Sequence, residues 1–169
     1  LTSMARNGVE FGIRVSGMDG NTWFTGPAQR VVGPLFAGFK PEDSGLDIGD
    51  SAITETYGIG GFAMSAALAI VALVGGTVDD AINTSKKMYE ITTTENPNVT
   101  LPILNFKGIP TGIDLRKVLE SSMLPVINTA IAHKDAGVGM IGAGITNPPM
   151  ECFKKAALAL AAHIRELDL

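Results

Sequence analysis

The sequence predicts an α+β fold, with mixed short strands and packed helices that include a buried Gly/Ala-rich helix. Glu10 to Ser16 reads EFGIRVS, and its strict alternation has the period of a half-buried strand. Thr77-Val-Asp-Asp80 and Thr111-Gly-Ile-Asp114 carry the polar starts and following apolar spacing of helices. Strand-like and helix-like segments do not alternate regularly, which argues against a doubly wound parallel sheet.

Taken in order, LTSMARNG reads as the last turns of a helix whose beginning is missing. The chain is therefore expected to be a fragment of a longer protein lacking its N-terminal region. Its 169 residues are expected to form a single domain, since that length suits one core and would crowd two. In the strand that follows, Phe11, Ile13 and Val15 share one face and Arg14 projects from the other. Met18 to Asn21 is turn chemistry, and Asn21 to Thr25 returns as a second short strand. A Gly- and Pro-rich loop from Gly26 to Gly49 is long enough to suggest a functional or interfacial role.

The central stretch from Asp47 to Gly76, DIGDSAITETYGIGGFAMSAALAIVALVGG, places hydroxyls and carboxylates before a glycine turn that opens an apolar run. Ile59 to Val74 is expected to be a buried helix. It falls short of the roughly 20 apolar residues a membrane span needs. Gly75 and Gly76 turn the chain into a helix from Val78 to about Thr93, capped by Thr77 and ended by Asn96-Pro97. Val99 to Asn105 reads as an edge strand broken by Pro102. A short helix begins at Thr111 to Asp114, with Leu115, Val118 and Leu119 on one side. Leu124 to Ala132 and Val138 to Ile145 are strand candidates, and a last helix runs from about Met150 to Glu166 behind Pro148 and Pro149.

Composition narrows the partners. A net charge of -4 and a pI near 5.1, with few aromatic residues, offer no field for a phosphate backbone, so nucleic acid is not expected. Charged residues are only 18% and mean hydropathy is +0.26, which points to apolar surface meeting another domain or subunit. One cysteine, Cys152, allows no internal disulfide and no secretory leader is evident, so a cytoplasmic location is expected and no membrane association.

The candidate chemistry begins at the glycine turn. The first N–H groups of a helix lack partners and carry partial positive charge, so Gly58, Gly60 and Gly61 would let a small anion approach the backbone. The same glycines also suit a tight turn and close helix packing, and no P-loop or dinucleotide spacing is present. Thr54 and Thr56 either position a substrate or cap the next helix, whereas Glu55 is not explained by capping and stands as a proton-transfer candidate. If Ile53 to Tyr57 is extended, Glu55 faces away from both threonines.

Asn128 and His133, at the far end of an apolar strand, can polarise a carbonyl or move a proton, although a histidine before Lys134-Asp135 also reads as a solvated turn residue. Arg14, Arg30 and Arg116 are anion candidates, and Arg14 stands out for the glycines at 12 and 17. His163 reads as structural. No metal-ligand spacing, activated thiol or cofactor motif is present, so neither metal nor cofactor is expected.

NGVEFGIRVSG, DIGDSAITETYGIGGFAM, KMYEIT, GIPTGIDLRKV, LPVINTAIAHKDAGVGMIGAGI and PMECFKKAL together resemble the YlbE-like family of bacterial proteins, associated with the AllG subunit of oxamate carbamoyltransferase. The resemblance implies carbamoyl transfer between oxalurate and phosphate, giving oxamate and carbamoyl phosphate, in allantoin and purine breakdown. It also implies a small anionic substrate, and a homo-oligomer or a hetero-oligomer with an FdrA-type subunit similar to acyl-CoA synthetases. No family catalytic residues carry over. Under this resemblance the Gly58 to Gly61 turn binds an anion, Arg14 clamps a carboxylate, Asn128 or His133 polarises the carbamoyl carbonyl and Glu55 handles a proton. A non-catalytic docking subunit is the competing expectation.

Overall fold

The computed structural model describes residues 1–167 and has the α+β character that the sequence predicts. Strand β1 (Ser3–Asn7) turns at Asn7-Gly8 into β2 (Glu10–Arg14), with the Asn7 side-chain carbonyl accepting the N–H groups of Val9 and Glu10 at 2.9 and 2.7 Å. Strand β3 (Phe24–Pro27) pairs with β2, and the two-residue β4 (Ile48–Gly49) pairs with β1. These four form an antiparallel sheet in the order β3-β2-β1-β4. The start of the chain is therefore a strand and not the end of a helix. Its alternation is Met4 and Arg6 inward, and the buried arginine hides the pattern from a hydrophobicity reading.

Beyond β4, helix α1 (Ile53–Tyr57) replaces the extended segment considered from sequence. The expected buried helix from Ile59 to Val74 does not form. Gly60–Ala66 is a 3-10 run, Ala67 leaves helical geometry at φ −134° and ψ 58°, and only Leu68–Leu73 forms an α-helix, α2. Within α2, Val71 alone is buried. The glycine turn thus opens two short 3-10 turns that break at Ala63 (φ −112°, ψ 27°), in keeping with the short runs that 3-10 geometry tolerates.

Helix α3 (Val78–Met88) begins with Thr77 as a capping box, the Thr77 hydroxyl and the Asp80 carboxylate each taking the other's backbone N–H. It ends earlier than expected, in a 3-10 turn at Tyr89–Ile91. Strand β5 (Thr92–Leu101) then runs through Asn96-Pro97, which does not end a helix. A register shift between Asn96 and Thr100 accommodates the proline against β6 (Lys107–Ile113). The β6 strand was hidden by its glycines and Pro110. Asp114 caps α4 (Leu115–Ser121), with Leu115 and Val118 buried.

Strands β7 (Ile127–Ala132) and β8 (Met140–Thr146) form an antiparallel hairpin, and α5 (Met150–Leu167) follows. The loop after β3 is tied across this hairpin by the pairs Val32–Ile145, Leu35–Gly142 and Ser44–His133. At Gly142 and Gly144 a side chain would collide with the Pro34 and Val32 carbonyls, so the glycine-rich strand serves close backbone approach. The main core lies where the inner face of the four-stranded sheet meets α4 and α5, around Phe11, Ile13, Phe24, Ile91, Val118 and Phe153.

Candidate functional site

Glu55 is the centre of the glycine turn. Its one-turn helix swings the carboxylate inward until the residue is 1% exposed. There Oε1 accepts the N–H of Gly61 at 3.0 Å and that of Asn128 at 3.2 Å, while the Thr54 hydroxyl oxygen lies 3.2 Å from Oε2. The protein's own carboxylate thus occupies the start of the 3-10 run, the position at which the sequence suggested an external anion. Burial pushes the Glu55 carboxyl up from its ordinary value, and the backbone donors pull it partly back.

Gly58 and Gly61 are buried and Gly60 is half-buried. Gly60 sits at φ 66° against the Glu55 carboxylate, Gly61 lies on the Val126 carbonyl, and Gly58, at φ 106°, closes α1 against Pro110. Neither threonine caps a helix: Thr54 bonds back to the Ser51 carbonyl at 2.7 Å, and Thr56 to that of Ile53. Thr54, Glu55, Gly60, Gly61 and the Asn128 backbone do come together.

Beside them lies a cluster that hydrophobic patterning missed. Arg6 on β1 and Asp47 before β4 form an ion pair at 2.9 Å, both side chains at 0% exposure. Arg6 also donates to the hydroxyl of Ser51 at 3.3 Å and to that of Thr129 at 2.6 Å. Burial raises the Asp47 carboxyl while the Arg6 charge opposes that rise. The guanidinium joins the four-stranded sheet to the approach to α1 and to β7. The Asn7-Gly8 turn signal followed by an obvious strand was the clue that SMARN pairs with EFGIR and carries Arg6 inward.

Other candidates stand apart. Arg14 lies on the outer face of the sheet, opposite Arg6 in the strand alternation, with its guanidinium 5.4 Å from the Trp23 ring centroid. Among the described residues no carboxylate pairs with it. A cleft of about 310 Å³ lies on the same face, lined by Ala5, Glu10, Gly12, Trp23 and Thr25 among others.

His133 is five residues beyond Asn128, about 16 Å along an extended chain. Its Nδ1 accepts the Asp135 N–H at 2.9 Å, which leaves the neutral ring's proton on Nε2, and its edge meets Phe39. Arg30 donates weakly to the Ser44 carbonyl at 3.4 Å, and Arg116 is bound to Asp114. Among the described residues no three His, Cys, Asp or Glu groups lie close enough to share a metal, and no helix is long and apolar enough to cross a membrane.

Fold and site together define an α+β module braced by a sealed Arg–Asp pair and a turn held by the Glu55 carboxylate, with the Arg14 guanidinium on the outer sheet face. Residues 1–51 match the family model described as oxamate carbamoyltransferase subunit AllG. The chain is 48% identical over 162 residues to the oxamate carbamoyltransferase subunit AllG of Escherichia coli K12, covering 95% of this chain and 38% of that protein. It is 73% identical over 158 residues to the uncharacterized protein YahG of the same organism, 94% of this chain and 33% of that one.

A crystal structure of a conserved protein of unknown function from Enterococcus faecalis V583 superposes with a TM-score of 0.94 at 73% identity, over 96% of this chain and 39% of that one. The chain thus spans between a third and two fifths of the length of these relatives. The similarity is to AllG-type proteins, and none of these matches supports the YlbE-like label.

Proposed function

We propose that this chain is part of an AllG-type subunit of a carbamoyl-transferring enzyme that acts on oxalurate and phosphate in allantoin and purine breakdown. The observation that carries the reading is the coincidence of sequence and structure over residues 1–51. The segment that matches the AllG family model builds the four-stranded sheet and supplies Arg6, Asp47 and Ser51 of the buried cluster.

In the proposed reaction an oxygen of hydrogen phosphate attacks the carbamoyl carbon of oxalurate. The C–N bond to the oxamate nitrogen breaks, and the phosphate's proton ends on that nitrogen, giving carbamoyl phosphate and oxamate. Arg14 is the group offered here to a substrate carboxylate, because its guanidinium is held on an aromatic face and has no internal carboxylate to neutralise it. Asn128 and His133 are too far apart to serve one carbonyl together, so either polarises it with groups supplied from outside this chain. Glu55, with Thr54, Thr56, Gly58, Gly60 and Gly61, positions the turn. The substrate site is completed by the rest of the subunit or by an FdrA-type partner in the cytoplasm.

The test is thermal melting of the complete subunit with oxalurate, oxamate, phosphate or carbamoyl phosphate, since a ligand that binds the native state must stabilise it. A shift with oxamate or oxalurate that Arg14→Ala abolishes is the expected result. No shift with any of the four would favour a purely docking role.

A further inference from the structure

We propose that the exposed face of α2 is one half of a core whose other half is the additional polypeptide that accompanies this fold in its longer relatives. Around α2 the buried apolar cluster is thin: Met64, Val71, Val74, Ala81 and Ala143, two of them alanines. Outside that cluster, Leu68, Ile70 and Leu73 are 40%, 43% and 44% exposed, and Val78 at the start of α3 is also exposed. Every residue of α2 is apolar, yet Val71 alone faces inward. A helix that is apolar all round belongs in the interior of a larger body or in a membrane, and six residues cannot span a bilayer. From Thr56 to Val78 the chain carries no charged residue, and depletion of charge marks the centre of an interface.

The identity of the occupant follows from chain length and from the kind of surface. Permanent interfaces resemble a domain core cut in half, whereas transient ones keep a polar character. The fold is retained at a TM-score of 0.94 inside a chain of which it forms 39%, and it matches 33% and 38% of two others. Each of these relatives therefore carries, in the same polypeptide, more additional chain than the length of this module, and that chain is the occupant assigned to the α2 face. This inference does not depend on the carbamoyl-transfer reading, and its test uses no substrate.

The experiment places Ile70→Glu with Leu73→Glu in two settings: the 169-residue chain alone, and a chimera in which this chain replaces the matching segment of the full-length Escherichia coli YahG protein. The expected result is a drop in melting temperature of about 5 °C or more in the chimera, and no drop, with improved solubility, in the chain alone. Equal loss in both settings, or none in the chimera, would overturn the proposal. A stable dimer of the isolated chain that the substitutions dissociate would also overturn it, in favour of a second copy. Should the chimera not fold, the solved Enterococcus relative supplies the second measurement. Positions aligned with Leu68, Ile70 and Leu73 should be buried there by residues of their own chain, and burial by another chain, or continued exposure, would contradict the proposal.

Discussion

Arg6 and Asp47 meet at 2.9 Å across 41 residues of chain, and both side chains are completely enclosed. Breaking such a pair leaves a buried charge without a partner, while replacing both members with apolar groups removes the desolvation penalty on each side. Arg6→Met should therefore cost about 3–5 kcal/mol, and Arg6→Met with Asp47→Leu should recover most of that loss. Urea unfolding of the single and double variants measures both. A single variant that loses less than about 1 kcal/mol would show that the pair is dispensable.

Glu55 should make stability fall as pH rises. Its folded-state value lies above the ordinary 4.5, so between 4.5 and that raised value the native state holds a proton that the unfolded chain has released. The contribution is complete below 4.5 and is lost as pH passes up through the folded value. Glu55→Gln keeps an acceptor for Gly61 and Asn128 but cannot titrate. Chemical denaturation from pH 4 upward should show a flatter profile for Glu55→Gln than for the natural chain, and identical slopes would remove the assignment.

Asp114 behaves in the opposite sense. Its bonds to the Arg116 side chain and backbone hold the carboxyl down to about 2, below the ordinary 3.8. Its contribution is present above 3.8 and disappears as pH falls from there toward 2. Asp114→Ala removes the α4 cap and should cost about 1 kcal/mol at neutral pH. Acid titration of the melting temperature checks the direction, and a variant that matches the natural chain at neutral pH would show that the cap contributes nothing.

Gly60 and Glu55 should be strongly coupled. An alanine at Gly60 must adopt φ 66° and would overlap the Glu55 carboxylate, so Gly60→Ala should cost about 2 kcal/mol or more. Shortening the neighbour as Glu55→Ala frees that space, and the double variant should be better than the sum of the singles by at least about 1 kcal/mol. Additive losses in a double-mutant cycle would place the two residues out of contact.

Cys152 should resist thiol reagents in the native chain. It is buried, donates to the Phe11 carbonyl at 3.3 Å, and burial pushes its thiol up to about 12, which leaves almost no thiolate at neutral pH. A colorimetric disulfide reagent should titrate the thiol only after denaturant is added. Fast labelling of the folded chain would contradict the packing of α5 on β2.

These residues also show what the sequence could reveal. β2, the capped start of α3, and α5 were legible because periodicity and capping agree with their final packing, while at α4 only Asp114 was, since Thr111 to Ile113 belong to β6. β1 was not, since its inward positions include Arg6, whose burial depends on Asp47 far along the chain. The run from Ile59 to Val74 had the composition of a helix, but Gly60 at positive φ and the Glu55 carboxylate fix a 3-10 start, and the surface beyond it faces outward. In the candidate site, Glu55 was identifiable because no local role explained it. Its actual partners, the backbones of Gly61 and Asn128, could not be inferred from side-chain chemistry.

The central claim, carbamoyl transfer with a carboxylate held at Arg14, is tested most directly by oxalurate phosphorolysis in the complete assembly. Formation of carbamoyl phosphate from oxalurate and phosphate should be measured for the natural chain and for Arg14→Ala, with Arg14→Lys to separate charge from bidentate geometry. The proposal predicts turnover by the natural chain, at least a tenfold loss of kcat/KM in Arg14→Ala, equivalent to about 1.4 kcal/mol, and partial rescue in Arg14→Lys. No carbamoyl phosphate from the natural assembly would contradict the assigned reaction, and an undiminished rate in Arg14→Ala would contradict the assigned residue.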